Sequence, residues 1–147
     1  MSKGQRKLFF SADHNGVLLL KELISFCAEK GCSIEEFPVD HLDFIDVISQ
    51  LIESVLKTHN SMGILICGSG LSASIAANRN PKIRAALCRT PEDARLARRQ
   101  NDANVLCLGS RYTTSFVAKQ CIEIFLSEPF KKENHQALVA KLSPLGF

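Results

Sequence analysis

The feature that most constrains this chain is a regular alternation between short apolar runs and helical patterns. The run "MGILIC" (62–67) is apolar throughout, which is typical of a strand buried on both faces of a sheet. Four further short runs, the weakest of them "SIEEF", are separated from it and from one another by helical segments. The predicted strands are 7–12, 33–37, 62–67, 83–88 and 104–109.

The segments between these runs have the periodicity of amphipathic helices. Residues 44–57 place their apolar side chains on one helical face, and residues 17–31 do the same, with Gly31 able to end the helix. Thr90 is predicted to be an N-cap and Pro91 the first residue of the next helix. Further helices are expected at 71–78, near 113–126 and at 134–142.

Strands that alternate with helices predict a parallel sheet covered on both faces. We therefore predict an α/β fold, a single Rossmann/flavodoxin-like αβα sandwich with a five-stranded parallel sheet, over residues 1–147. The simplest strand order is 2-1-3-4-5. In that order a ligand crevice lies between the carboxyl ends of strands 1 and 3. The polar segments "SADHNG" and "CGSG" would then face each other.

Composition places the chain among ordinary globular proteins, with 147 residues, 46% apolar and 22% charged. A net charge of +3 gives no case for nucleic-acid binding. No apolar run reaches ~18 residues, so no membrane span is expected, and the first residues lack a secretory pattern. The six cysteines and four histidines lack metal-binding spacing. We expect a cytoplasmic protein with reduced core cysteines and no metal.

The glycine-rich segment Gly68–Ala73 permits a dinucleotide interpretation, because it fits the G-x-G-x-x-G/A fingerprint. That fingerprint usually follows the first strand of its fold, whereas this one follows the third. The next strand ends at Cys88-Arg89 instead of at a ribose-binding acid, and the chain has no room for a substrate domain. A dinucleotide cofactor is therefore disfavoured.

The alternative interpretation centres on Cys67, directly before the glycines. Gly68 and Gly70 would let backbone N–H groups at a helix start point into the crevice and stabilise a thiolate or a substrate oxyanion. Cys67 could equally be no more than the end of a buried strand. Asp13 and His14, on the opposite loop, could orient hydroxyl groups, act as acid or base, or cap the first helix.

Three segments, "SADHNG", "GILICGSGLSASIAAN" and "NDANVLCLGSR", together resemble the type B ribose-5-phosphate isomerases and their galactose-6-phosphate and allose-6-phosphate isomerase relatives. The resemblance extends from Lys7 to about Lys141. It implies an aldose–ketose isomerase that acts on a small phosphorylated sugar without a metal or organic cofactor. It also implies a homodimer, or a dimer of dimers, with active sites at the subunit interface.

The resemblance also implies roles for individual residues. Cys67 matches the base that moves a proton between C2 and C1 of the open-chain sugar, and Ala73 stands where some members carry a glutamate instead. The amides of Gly68, Ser69 and Gly70 match the loop that holds the enediolate oxygen. The candidate catalytic residues are Cys67, Ser69 and Asp13. The candidate substrate-binding residues are Asp13, His14, Gly68, Ser69, Gly70, Ser72, Gln100, Asn101, Arg111 and His135.

The chain departs from the family pattern where the resemblance implies ring opening and phosphate binding. Gln100 replaces the usual ring-opening histidine, and glutamine is neither acid nor base near neutral pH. Asn134 and Leu138 replace two phosphate-binding arginines, and Phe44 replaces a tyrosine. The available substitutes are His14, His41 and His135 for ring opening, and Lys131, Lys132, Arg95, Arg98 and Arg99 for the phosphate. Three functions stay open: a ribose-5-phosphate isomerase, an isomerase of another phosphosugar, and a non-catalytic sugar-phosphate-binding protein.

Overall fold

The computed structural model of the protein describes residues 5–40 and 42–142, so His41 lies outside the described residues. Strands and helices alternate along this part of the chain, and the predicted α/β class is confirmed. In chain order the elements are β1 (Lys7–Ala12), α1 (Val17–Glu29), β2 (Ser33–Glu36), α2 (Phe44–Lys57), β3 (Ser61–Cys67), α3 (Leu71–Ala77), β4 (Ala85–Leu87), α4 (Pro91–Asn101), β5 (Val105–Gly109), α5 (Ser115–Ser127) and α6 (Lys132–Leu142).

The five strands form one parallel sheet in the order β2-β1-β3-β5-β4. The parallel five-stranded sheet is confirmed, but the predicted order 2-1-3-4-5 is wrong, because β5 pairs with β3 and displaces β4 to the edge. Burial explains the exchange. All five residues of β5 are buried, whereas β4 has three half-buried residues, fewer than the predicted 83–88. The neighbours β1 and β3 are unchanged, so the crevice stays where it was predicted.

Two apolar cores lie on opposite faces of the sheet, and alternation along β3 assigns its side chains between them. Ile64 and Ile66 pack with residues of α1, α4 and α5. Leu65 and Cys67 pack with residues of α2 and α3. The thiol of Cys67 therefore lies on the face of the sheet that α3 covers.

All six cysteines are free thiols, and four of them are fully buried. Burial raises the pKa of Cys27 to about 12, the pKa of Cys88 to about 12 and the pKa of Cys121 to about 11. Burial likewise raises the pKa of the Cys107 thiol far above its ordinary value. These four cysteines are apolar packing groups, in agreement with the sequence-based expectation.

The start of α4 has the predicted cap. The Thr90 hydroxyl accepts a hydrogen bond from the Asp93 N–H at 3.1 Å, and the Asp93 carboxylate accepts one from the Thr90 N–H at 3.3 Å. Pro91 occupies the first turn. This capping box fixes the point at which the chain leaves the carboxyl edge of β4 and turns back towards the amino edge of the sheet. Within the described ranges, no helix combines the length and the apolar character needed to cross a membrane.

Replacing Thr90 tests this cap. Thr90→Ala removes the acceptor for the Asp93 N–H, and it should lower the free energy of unfolding by about 1 kcal/mol. Thr90→Ser keeps the oxygen, so its free energy of unfolding should remain close to that of the parent protein. Urea denaturation followed by circular dichroism measures both values. An equal loss in the two variants would assign the effect to the threonine methyl group instead of the cap.

Candidate active site

Backbone contacts bring three loops together at the carboxyl edge of the sheet. In the loop between β1 and α1, the Asp13 N–H donates to the Ile66 carbonyl at 3.1 Å. Gly16 passes so close that a Cβ atom there would lie 2.6 Å from the same oxygen. The polar loop after β1 is therefore pressed against the end of β3, and only glycine leaves enough space.

The loop after β5 approaches the end of β3 from the other side. The Ser110 N–H donates to the Cys67 carbonyl at 2.9 Å, and the Arg111 N–H donates to the Gly68 carbonyl at 3.0 Å. The Ser110 hydroxyl donates to the carbonyl of Asn15 at 2.8 Å. The loop after β5 is thus hydrogen-bonded to both of the other loops, and the three form one surface.

Cys67 lies at the centre of this surface. Its side chain is buried, with 5% exposed, and its Sγ accepts a hydrogen bond from the Gly70 N–H at 3.1 Å. Gly70 has a φ of +79°, and a Cβ there would lie 2.4 Å from the Leu87 side chain, so glycine is required for both conformation and space. The sulfur of Cys67 therefore faces a backbone N–H at the start of α3. Next to it, the Ser69 hydroxyl accepts from the Leu71 N–H at 3.2 Å.

Asp13 and His14 lie across the crevice from the glycine loop, which consists of Gly68, Ser69 and Gly70. One Asp13 carboxylate oxygen accepts hydrogen bonds from the Asn15 N–H at 2.9 Å and the Gly16 N–H at 3.2 Å. This carboxylate therefore holds the turn that precedes α1, while Gly16 is the N-cap residue itself. His14 is exposed and free to meet a ligand from the solvent side.

A cavity of about 630 Å³ opens beside Asp13 and His14, towards β2. Acidic and aromatic side chains line its far wall: Glu36, Asp40, Asp43, Phe37 and Phe44. No group of three acidic, histidine or cysteine side chains in residues 5–40 and 42–142 is arranged to hold a metal ion. Carboxylates are suited to accept hydrogen bonds from the hydroxyl groups of a ligand.

Arg111 brings positive charge to the glycine loop. A Cβ on Gly68 would lie 3.3 Å from the Arg111 Nε, so the guanidinium covers that glycine. Ser72, in the first turn of α3, is exposed nearby. Among the predicted site residues, the structure therefore gathers eight at one edge: Asp13, His14, Cys67, Gly68, Ser69, Gly70, Ser72 and Arg111.

Gln100, Asn101 and His135 are not brought to this edge. Asn101 ends α4 at the amino side of the sheet, where its carbonyl accepts from the Arg84 Nε at 3.1 Å. An α-helix of this length is roughly 16 Å long. Helix α4 starts at the carboxyl edge, so its last two residues, Gln100 and Asn101, lie about one helix length from that edge. His135 lies on α6, which begins where the Lys131 N–H donates to the Arg99 carbonyl at 3.0 Å. Within one chain, these three residues do not reach Cys67.

The alternative phosphate ligands on α4 are engaged elsewhere. Arg95 pairs with Glu92, and Arg98 donates to the Asp102 carboxylate at 3.1 Å. Arg99 lies 4.0 Å from the Glu128 carboxylate. Lys131 and Lys132 are exposed.

Sequence reasoning missed Asn15 and Ser110, which tie the loops together. The "GSR" segment after the fifth strand contains Ser110. The predicted strand order put strand 4 between strands 3 and 5, so no contact of this segment with the end of strand 3 was expected.

A family model described as Ribose/Galactose Isomerase matches residues 8–142. The chain belongs to this family. It is 33% identical to ribose-5-phosphate isomerase B of Escherichia coli over 95% of this chain and 96% of that protein. The structure of ribose 5-phosphate isomerase B from Anaplasma phagocytophilum matches with a TM-score of 0.88 and 38% identity over 97% of this chain and 99% of that one.

A third relative, ribose-5-phosphate isomerase B from Mycoplasma genitalium with bound ribulose-5-phosphate, has a TM-score of 0.85 and 29% identity over 94% of each chain. The family assignment made from the three sequence segments is thereby confirmed, and with it the classification as an isomerase.

Gly109 offers a test of the loop contacts. A Cβ at this position would lie 2.5 Å from the Ser69 carbonyl oxygen, so Gly109→Ala should push the glycine loop away from its neighbour. Because displacements of about 1 Å are costly in an active site, we expect isomerase kcat/KM to fall tenfold or more. Gly31→Ala is the control, since nothing lies within 4 Å of its Cβ. It should lower stability by about 1 kcal/mol and spare activity. Unchanged kinetics in Gly109→Ala would contradict the proposed role of this contact.

Proposed function

We propose that the protein interconverts ribose 5-phosphate and ribulose 5-phosphate, with Cys67 as the base that carries the proton. The observation that supports this most directly is the Cys67 sulfur, which faces the Gly70 N–H at the crevice between β1 and β3. Aldose–ketose isomerisation requires one base and fixed dipoles for a developing oxyanion, and it requires no electron carrier. The three loops supply a thiol, backbone amides and hydroxyl-binding groups.

In the proposed reaction the Cys67 thiolate removes the C2 proton of the open-chain aldose. The electron pair of the C2–H bond forms the C1=C2 double bond of an enediolate, and negative charge moves to the oxygen on C1. The amides of Gly68 and Ser69 stabilise that charge, while the Gly70 amide stabilises the thiolate. The thiol then returns its proton to C1, and the Ser69 hydroxyl relays a proton from O2 to O1. Asp13 and His14 orient the sugar.

Cys67 is the first target for mutation. Cys67→Ala and Cys67→Ser should fold like the parent protein and lose at least ~100-fold in kcat on ribose 5-phosphate, because the proton has no carrier. A coupled assay of ribulose 5-phosphate formation measures the rate. Cys32→Ser is the control: that thiol lies at the amino edge of the sheet, before β2, and the variant should keep full activity. Full activity in Cys67→Ala would refute the role of the base.

We also propose that a second copy of the chain completes the site. Gln100, Asn101 and His135 lie away from Cys67 within one chain, so only another copy can bring them to it. Helix α6 supports this, because none of its 11 residues is buried, so its apolar side chains are only partly covered by the described chain. Leu138 and Leu142 on this helix are 47% and 39% exposed. A homodimer, alone or within a dimer of dimers, would cover them.

A subunit-complementation experiment tests the shared site. Cys67→Ala and Asn101→Ala should each be inactive alone. If each site uses Cys67 from one copy and Asn101 from the other, mixed dimers contain one intact site. Refolding the two variants together at equal amounts should then restore about a quarter of parental activity. Cys67→Ala refolded with Cys67→Ser is the control and should stay inactive. No recovery in the first mixture, or an active Asn101→Ala protein, would contradict the shared site.

A second candidate substrate, another phosphosugar, is favoured by one observation. Gln100 stands where the family usually has a histidine, so the opening of a furanose ring would fall to another group. The exposed His14, on the loop after β1, is the candidate for that role. Assays of ribose 5-phosphate beside allose 6-phosphate and galactose 6-phosphate separate the alternatives. We propose the cytoplasm as the working compartment, because six free thiols suit a reducing environment.

A further inference from the structure

A pair of side chains beside the site has no role in the mechanism above. The Arg89 guanidinium carbon lies 4.7 Å from the centre of the Tyr112 ring, within the range of a cation–π contact. Arg89 follows β4, Tyr112 follows β5, and the two strands are neighbours in the sheet. Both side chains are exposed at the carboxyl edge, and the Tyr112 side chain is 62% exposed.

Near neighbours in sequence of each member of the pair contact the glycine loop (Gly68–Gly70). Tyr112 directly follows Arg111, whose N–H donates to the Gly68 carbonyl at 3.0 Å. Leu87, two residues before Arg89, packs so closely on Gly70 that a Cβ there would lie 2.4 Å from its side chain. Arg89 and Arg111 therefore follow two adjacent strands, β4 and β5, and both lie at the edge that carries the glycine loop.

In the part of the chain that the structure describes, Arg89 and Arg111 differ from other arginines in their lack of a carboxylate partner. Four other arginines pair with carboxylates: Arg84, Arg95, Arg98 and Arg99. Neither Arg89 nor Arg111 forms such an ion pair within residues 5–40 and 42–142. The nearby Asp93 carboxylate instead accepts the backbone N–H of Arg89 at 2.9 Å. Guanidinium groups without a carboxylate partner are available to bind an anion such as a phosphate.

The carboxyl edge of the sheet is therefore electrically polar. Carboxylates line the cavity on the β2 side, where Glu36, Asp40 and Asp43 lie. Arginines lie on the β5 and β4 side. A sugar phosphate has hydroxyl groups and a dianionic phosphate. Its electrostatic interaction with the protein is most favourable when the hydroxyl groups face the carboxylates and the phosphate faces the arginines.

We propose that Arg89, held by the ring of Tyr112, is a second phosphate-binding arginine of this isomerase, acting together with Arg111. This rests on the proposed function, because it takes a sugar phosphate as the ligand. Tyr112 is a positioning residue: its ring restricts the arginine side chain and so lowers the entropy lost when the phosphate binds. Arg89 binds the phosphate equally in the ground state and the transition state, so its loss should raise KM and leave kcat nearly unchanged.

Steady-state kinetics of a small variant set tests the proposal. Arg89→Ala should raise KM for ribose 5-phosphate about tenfold and keep kcat within about twofold. The inhibition constant of inorganic phosphate should rise in parallel. Tyr112→Phe should behave as the parent protein, and Tyr112→Ala should raise KM in the parent but add little to Arg89→Ala. Arg79→Ala, which removes an exposed arginine just beyond the far end of α3, is the matched control and should change neither constant. Parental KM and parental phosphate inhibition in Arg89→Ala would overturn the proposal.

A binding measurement separates this proposal from the proposed reaction. Calorimetric titration of ribose 5-phosphate and of inorganic phosphate compares Cys67→Ala with Cys67→Ala/Arg89→Ala. Affinity about tenfold weaker in the double variant supports Arg89 as a phosphate ligand, even if the parent protein fails to isomerise ribose 5-phosphate. Equal affinities in the two proteins overturn it, even if the parent protein is a fully active isomerase.

Discussion

The site depends on backbone approaches that are too close for any side chain. Gly16 lies against the Ile66 carbonyl, and Gly109 lies against the Ser69 carbonyl. These two contacts fasten the loops after β1 and β5 to the loop after β3. The same contacts explain why the polar groups of three separate segments act as one surface, since the spacing of parallel strands alone would leave the loops independent. Glycine is required at these two positions because a side chain would not fit, and not because of the backbone conformation, since neither residue has a positive φ.

The surroundings of Cys67 differ from those of the other buried thiols. Cys27, Cys88, Cys107 and Cys121 lie among apolar side chains, where burial raises the pKa of each thiol and keeps it neutral. Cys67 is nearly as buried, yet its sulfur lies at the boundary where the strand ends and the N–H groups of a helix start begin. The backbone turns at Gly68, directly after Cys67. For this reason the Cys67 sulfur faces a polar N–H group, whereas the other four buried thiols lie among apolar side chains.

The secondary-structure elements and the position of the candidate site could be predicted from the sequence, because each depends on a short stretch of neighbouring residues. The alternation of apolar runs indicated the elements, and the Thr90-Pro91 pair indicated the start of α4. The glycine loop indicated where the candidate site would lie, at the carboxyl end of β3. The position of β5 could not be predicted in the same way. Strand order depends on which apolar run gains more from a central position, a competition between β4 and β5 that no local pattern reports. That error also concealed the contacts of Ser110, which exist because β5 lies directly beside β3.

The exchange of β4 and β5 has a further consequence for the assembly. With β4 at the edge, α4 descends along the outer part of the sheet, and its last residues, together with α6, reach the surface instead of the centre of the fold. In the order 2-1-3-4-5, β5 would have been the edge strand. Its five buried residues would then have been exposed unless another element covered them. The observed order places the short, half-buried β4 at the edge, and α6 lies at the surface without a buried residue. With β4 at the edge, Gln100 and Asn101 lie away from the thiol within one chain, and the second copy proposed above would bring them to it.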